Sequence, residues 1–345
     1  MNNYYKPDAK NKLLHFFEWR SRNLHILPLD DIETNLSQAK FTKILLDISF
    51  VIPDFHTSLS TPDGEIYLLG GRNAKNHDEK YNQVYTVDFQ RKELVKKAPM
   101  RYKRDSHAIC YNEGYIYVIG GVTFDKEKKK SVLRACERYN VARDEWTEIA
   151  RVNMPVCNHC ACVFQNKYIF CFGGRCQPEK LSNNIFRYTI EEDSWLCIKL
   201  QDSMQIRNKF AMTSQAGCCQ INEDNIFVFG GYNENRTASN QSFLFSYSSN
   251  SSYNGGLNSL NSTHDDHSNS MLQESEDKKK DICRIKQLNV KKINSAAPFW
   301  DKQVIVNNGK IYCLQNDVAA HNARLVYGNR RRLLIFDGTK WSNVN

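Results

Sequence analysis

Short apolar runs, each ending on a glycine pair, recur along the chain: EIYLLGG from Glu65, YIYVIGG from Tyr115, YIFCFGG from Tyr168 and NIFVFGG from Asn225. KIYCLQN from Lys310 is a version without the glycines, and KLLHFFEWR from Lys12 is the weakest. A continuous apolar run, rather than an apolar–polar alternation, predicts a strand covered on both faces. Aromatic residues make up 12% of the chain, which favours strands over helices. A glycine pair at a strand end permits unusual φ values and lets a neighbouring element approach closely.

The run starts are separated by 53, 50, 53, 57 and 85 residues. The last gap contains a polar stretch of about 35 residues; without it the spacing returns to about 50, a repeat length of propeller blades. Two further features keep the same phase. Tyr139 precedes Trp146 by seven residues, Tyr188 precedes Trp195 by seven, LLIFDGTKW ends in Trp341, and Leu94 stands at the Trp position of one unit. His56, His107 and His159 lie 13 or 14 residues ahead of a first glycine, with Ala216 at the corresponding place in the next unit.

Strand, Gly-Gly, strand with Tyr, turn, strand with Trp: this resembles the kelch motif, strongly over residues 54–232, more weakly at 283–345 and least at 12–53. The resemblance implies an all-β fold, a six-bladed kelch-type β-propeller of four-stranded antiparallel blades. The motif residues are Gly70, Gly71, Gly120, Gly121, Gly173, Gly174, Gly230, Gly231, Tyr139, Trp146, Tyr188, Trp195 and Trp341. It also implies that each Trp packs across to a neighbouring blade's glycines. The first blade is incomplete, with strands expected at 12–18, 24–29 and 41–48; its missing strand comes from residues 3–9 or does not exist.

The whole chain, 1–345, reads as a single propeller domain. Residues 248–281 are Ser- and Asn-rich, bury too little apolar surface to offset their ordering entropy, and are expected to form a disordered insertion between two strands of the fifth unit. With a dozen residues ahead of the first strand, none of the BTB or F-box modules that often accompany kelch propellers is expected in this sequence. The N-terminal stretch lacks a signal h-region, and no run approaches the ~18 apolar residues of a membrane span. A cytoplasmic protein is expected, with its 12 cysteines mostly free thiols.

No catalytic signature is visible, and the chain is expected to be non-enzymatic, with no cofactor and no metal. The nearest metal candidate, CNHCAC (Cys157, His159, Cys160, Cys162), lacks a second ligand pair at zinc-binding spacing. The recurrent histidines are expected to be structural, bonding a loop carbonyl at the strand entry. The alternative to a binding module is an enzyme with a metal or small-molecule site at the central channel.

Net charge is +9, and basic residues gather in the loops after each Gly-Gly and in the loops linking blades, which share one face of a propeller. Arg72, Arg101, Arg104, Lys128, Lys129, Arg175, Arg207, Arg236, Arg330 and Arg331 are the candidate partner-binding residues. The expected ligand is an acidic or phosphorylated segment of a partner protein, met by arginine groups, in a scaffold or substrate-recognition role. The loops lack the interleaved aromatics that stack nucleic-acid bases, and no membrane partner is indicated.

Overall fold

The computed structural model describes residues 12–198, 213–248, 282–287, 304–337 and 341–344, apart from His77, Asp125, Lys126, Lys128, Pro178, Glu179, Asn183, Arg236, Ala238, Asn240, Asn322 and Ala323; residues 282–287 and 315–332 are described by their backbone. Six antiparallel sheets form the blades of a ring. Blade 1 has three strands, Leu13–Phe17, Asn23–Pro28 and Thr42–Leu45. Blades 2 to 6 have four each and begin at Thr57–Ser60, Ala108–Asn112, Cys160–Phe164, Gly217–Gln220 and Val304–Asn307. These opening strands are neighbours in space and line the central channel. Residues 249–281, which hold nearly all of the expected insertion, lie outside the described residues.

The strands of blade 1 fall where the sequence places them, and a hydrogen bond fixes their register. Arg20 N–H donates to Ile52 O at 3.0 Å, as Gly71 N–H donates to Arg104 O at 2.9 Å and Gly121 N–H to Val156 O at 2.8 Å. Arg20 has φ +57°, in the left-handed range that the glycines occupy elsewhere. Leu13–Phe17 is therefore the counterpart of the Gly-Gly strands, and among the described residues blade 1 has no channel-lining strand. The expectation that residues 3–9 supply it falls outside the described residues.

The core lies between blades, which explains the unbroken apolar runs. Ile116 and Val118 pack with Tyr67, Leu69 and Val84 of blade 2, while Tyr117 and Ile119 pack with Ile169, Phe186 and Tyr188 of blade 4. Every seam has such a cluster, and Leu14, Phe16 and Leu27 against Tyr312, Leu314 and Leu333 join blade 1 to blade 6. Each large apolar side chain so enclosed contributes about 1.5–3 kcal/mol.

A polar clasp repeats on the outer part of two seams. The Trp146 indole donates to Ala98 O at 2.7 Å, while Asp144 accepts from Ala98 N–H at 2.8 Å and from the Tyr139 hydroxyl at 2.6 Å. Trp195, Asp193 and Tyr188 hold Ala150 in the same way, at 2.8, 2.8 and 2.7 Å. Both backbone groups of one residue in the linker from the preceding blade are thereby satisfied.

At Gly70, Gly71, Gly120, Gly121, Gly174 and Gly231 the nearest atoms are not those of the expected tryptophans. Trp146 lies 5.1 Å from its own strand partner Tyr139, and Trp341 lies 5.0 Å from Phe229 of blade 5, ring to ring. The glycine pair divides its work between two other neighbours. A Cβ on Gly70 would come within 2.6 Å of Arg104 O in the outgoing linker; one on Gly71 would come within 2.8 Å of Asp54 O at the blade's own entry. In blade 3, Gly121 sits against Asp105 O and His107 Cβ in the same manner, and Gly174 of blade 4 against Cys157 O and His159 Cβ.

Candidate interaction face

The end of the ring that carries the glycine pairs is built around a collar of left-handed residues. Phe55, Ser106, Asn158 and Gln215, each one residue ahead of His56, His107, His159 or Ala216 at the entry to an opening strand, have φ between +53° and +61°. Ser106 N–H donates to Phe55 O, Asn158 N–H to Ser106 O and Gln215 N–H to Asn158 O, at 3.3, 2.9 and 2.7 Å. Four successive blades are thus strung together by backbone at the channel mouth. The histidines beneath are buried. His56 Nδ1 donates to the loop carbonyl of Pro53 at 2.8 Å, as expected of a structural histidine; His107 Nε2 instead hydrogen-bonds the Thr57 hydroxyl of blade 2 at 2.6 Å.

The structure separates the candidate basic residues rather than gathering them. Arg104 is fully buried: its guanidinium donates to Gly120 O at 2.7 Å, Ala135 O at 3.0 Å and Glu137 Oε1 at 2.6 Å, which takes it off any accessible surface. Arg175 is buried on the strand Arg175–Gln177. Arg72 is half-buried, with Cζ 4.1 Å over the ring of Phe55. Arg101 and Lys129 are exposed and paired with Glu148 at 3.3 Å and Glu127 at 2.6 Å. Arg330 and Arg331 lie on the strand Arg324–Phe336, where the backbone alone is described. Lys128, Arg207 and Arg236 are outside the described residues.

Three acids of this face are consumed internally, while Asp78, Glu79, Glu127 and Glu234 stay exposed on its loops. Asp54 takes a two-pronged contact from Arg20 across the blade 1–2 seam, with Nη2 at 2.6 Å and Nε at 3.0 Å. That hydrogen bond holds the Arg20 guanidinium above its ordinary pKa. Asp105 pairs with Lys80 across the blade 2–3 seam at 2.5 Å, both side chains about 4% exposed. Burial pulls the Lys80 ammonium down, and Asp105 opposes the fall. Glu137 accepts Arg104 and, on its other oxygen, Arg101 N–H at 2.7 Å. Lys75 and Lys103 remain exposed on the loops of the same end. Sequence reasoning passed over these pairs, although the repeated Asp-x-His of DFH and DSH marks Asp54 and Asp105 as equivalent.

The central channel offers little polar chemistry. A cavity of about 310 Å³ is lined by the opening strands of blades 2 to 6, including Ser58, Tyr111, Cys162 and Gln220. Cys218 packs in one buried cluster with Cys160 and Cys162 across the blade 4–5 seam, and burial pushes its thiol well up. The eleven described cysteines are free thiols, and among the described residues no group of three or more His, Cys, Asp or Glu is placed to hold a metal ion. No described helix is long and apolar enough to cross a membrane.

A ring of six such blades with glycine pairs, entry histidines and cross-seam tryptophans is a kelch-type β-propeller. Residues 66–275 match the model of the Attractin/LZTR1 beta-propeller, and the chain belongs to that family. It is 28% identical over 185 residues to human "Kelch repeat and BTB domain-containing protein 2", a match covering 50% of this chain and 26% of that protein. It is 23% identical over 174 residues to "Kelch-like protein 40" of Xenopus tropicalis, covering 50% and 26%. With "Kelch-like protein 41a" of Danio rerio it shares 25% identity over 187 residues, covering 53% and 29%. The match thus spans about a quarter of the length of these relatives.

Proposed function

We propose that this chain is a non-catalytic protein-binding module that receives an acidic or phosphorylated segment of a partner protein on the face carrying the glycine pairs. The observation that carries the reading is that three acids there are sealed inside the chain while cations stay exposed. Asp54, Asp105 and Glu137 are buried against the chain's own Arg20, Lys80 and Arg104, whereas Lys75 and Lys103 stay exposed, Arg101 is exposed beside Glu148 and Arg72 is half-exposed, on loops that also expose Asp78, Glu79, Glu127 and Glu234. Loops held on a rigid frame are the usual seat of recognition, and the backbone collar provides that frame. The kelch relatives, whose names carry the kelch repeat and in one case a BTB domain rather than an activity, fit a scaffold or substrate-recognition role. Free thiols suit a reducing compartment, in keeping with a cytoplasmic location.

The experiment is a fluorescence-anisotropy titration with labelled acidic, phosphorylated and basic peptides of equal length. Binding of acidic or phosphorylated peptides that weakens with salt and is lost in a Lys75→Glu/Lys103→Glu variant is the expected result. Equal binding of all three classes, or none, overturns the reading.

A further inference from the structure

The seam between blades 1 and 2 differs from the seam between blades 2 and 3 at two repeated positions. Gly70 N–H donates to Gln83 O at 3.0 Å, and Gly120 N–H donates to Ala135 O at 3.1 Å, so Gly70 corresponds to Gly120 and Gln83 to Ala135. Two residues further on, Tyr85 corresponds to Glu137. The bridges Asp54–Arg72 and Asp105–Val122 likewise make Asp54 the counterpart of Asp105, and Pro53 that of Arg104. In blade 3, Arg104 from the linker reaches Gly120 O, Ala135 O and Glu137 and fills the blade end. In blade 2 the linker offers Pro53, whose ring is short and carries no donor, and the acid is replaced by Tyr85.

The result is a cavity of about 770 Å³, lined among others by Pro53, Gly70, Arg72, Lys75, Gln83 and Tyr85, at the place where the chain plugs itself one blade later. Its size is that of a small-ligand or side-chain pocket. Phe50 and Tyr85, with ring centroids 5.3 Å apart, belong to its aromatic wall. Two buried polar atoms of the lining, Gln83 Oε1 and Arg72 Nε, lack hydrogen-bond partners among the described residues. One is an acceptor and the other a cationic donor, and each unmet group favours a ligand that satisfies it. The charged lining residues Arg20, Arg72 and Lys75 are all cations, with only Arg20 balanced by an acid, Asp54.

We propose that this seam cavity is a side-chain pocket for the acidic partner segment, taking one tryptophan whose indole N–H meets Gln83 Oε1, beside a carboxylate that meets Arg72 Nε. An aromatic body fits the Phe50–Tyr85 wall, an N–H supplies the missing donor, and the cations on the rim select an acidic context. The inference rests on the proposed acidic-segment reading and adds to it a pocket, a side chain and a seam.

The test uses the full chain and a labelled peptide of aspartates and glutamates around a single Trp, beside the same peptide with Ala in its place. The pair of substitutions Pro53→Arg and Tyr85→Glu rebuilds the blade 3 plug and closes the cavity from within. Thermal unfolding checks that this variant still folds, and Gln83→Leu gives a second, milder probe. The pocket predicts about tenfold or greater weakening on Trp removal, on plugging, and a smaller loss for Gln83→Leu. Unchanged affinity in the plugged variant, with Lys75→Glu/Lys103→Glu still abolishing binding, overturns the pocket and spares the face. Loss of neither overturns both. Equal affinity of the Trp and Ala peptides, with both weakened by the plug, overturns the assignment of Trp.

Discussion

Trp146 donates its indole N–H to the carbonyl of Ala98, 48 residues earlier and in the linker from the preceding blade, at 2.7 Å. The same geometry recurs between Trp195 and Ala150 at 2.8 Å. The motif's large aromatic is therefore a seam fastener, joining one blade to the linker that enters it. Trp146→Phe keeps most of the ring and removes the donor, and is expected to cost about 1–2 kcal/mol through the unsatisfied carbonyl and the lost contacts. Urea unfolding with an unchanged m-value measures it.

At the blade 1–2 seam the clasp is absent: Leu94 stands at the Trp position, and Lys92, at the Asp position with φ +56°, receives Asp47 N–H on its backbone carbonyl at 2.7 Å. Lys92→Asp puts a side chain that tolerates the left-handed region at this turn. It is expected to leave stability unchanged or raise it by up to about 1 kcal/mol, whereas Asp144→Lys at the intact clasp lowers it. Thermal melts of the two variants, run side by side, decide the point.

The Arg104–Glu137 pair, with neither side chain more than 1% exposed, is expected to be costly to break and cheap to replace. Arg104→Met leaves a buried carboxylate and should cost about 3–5 kcal/mol; adding Glu137→Leu should recover much of that loss. A double-mutant cycle from denaturant unfolding reads the coupling.

The Asp144 carboxylate gives the clasp a pH dependence. Burial alone would raise its pKa, but hydrogen bonds from Tyr139 and the Ala98 amide outweigh burial and hold it below its ordinary value. A group whose pKa is lower folded than unfolded stabilises the fold above its ordinary range and loses that contribution as pH falls through the folded value. The melting temperature should therefore fall on acidification, and the acid limb should flatten in Asp144→Asn.

The glycines separate conformation from space. Gly71 and Gly114 both have positive φ, but a Cβ on Gly71 would meet Asp54 O at 2.8 Å, while one on Gly114 meets nothing within 4 Å. Gly114→Ala should cost about 1 kcal/mol, from backbone strain alone, and Gly71→Ala clearly more. Chemical denaturation of both variants compares them.

The blades were legible in the sequence because the strand before each glycine pair is apolar on both faces and punctuated by the same residues: the three strands of blade 1 could be placed even where Arg20 stands in for a glycine. The candidate face was legible only as a set of loops. Arg104 and Lys103 are adjacent and look alike in sequence, yet one is sealed against Glu137 and the other exposed, because the partner acid lies 33 residues away on another strand. The seam cavity was hidden for the same reason. It arises from the pairing of Pro53 with Tyr85, a relation that needs the register of two blades and not one motif.

The central claim is that exposed cations on the glycine-pair face recognise an acidic partner. Quantitative affinity purification from cell extract, comparing the intact chain with Lys75→Glu/Lys103→Glu of equal melting temperature, tests it most directly. Selective loss of partners bearing acidic or phosphorylated segments is the predicted result; an unchanged set of recovered proteins would contradict it.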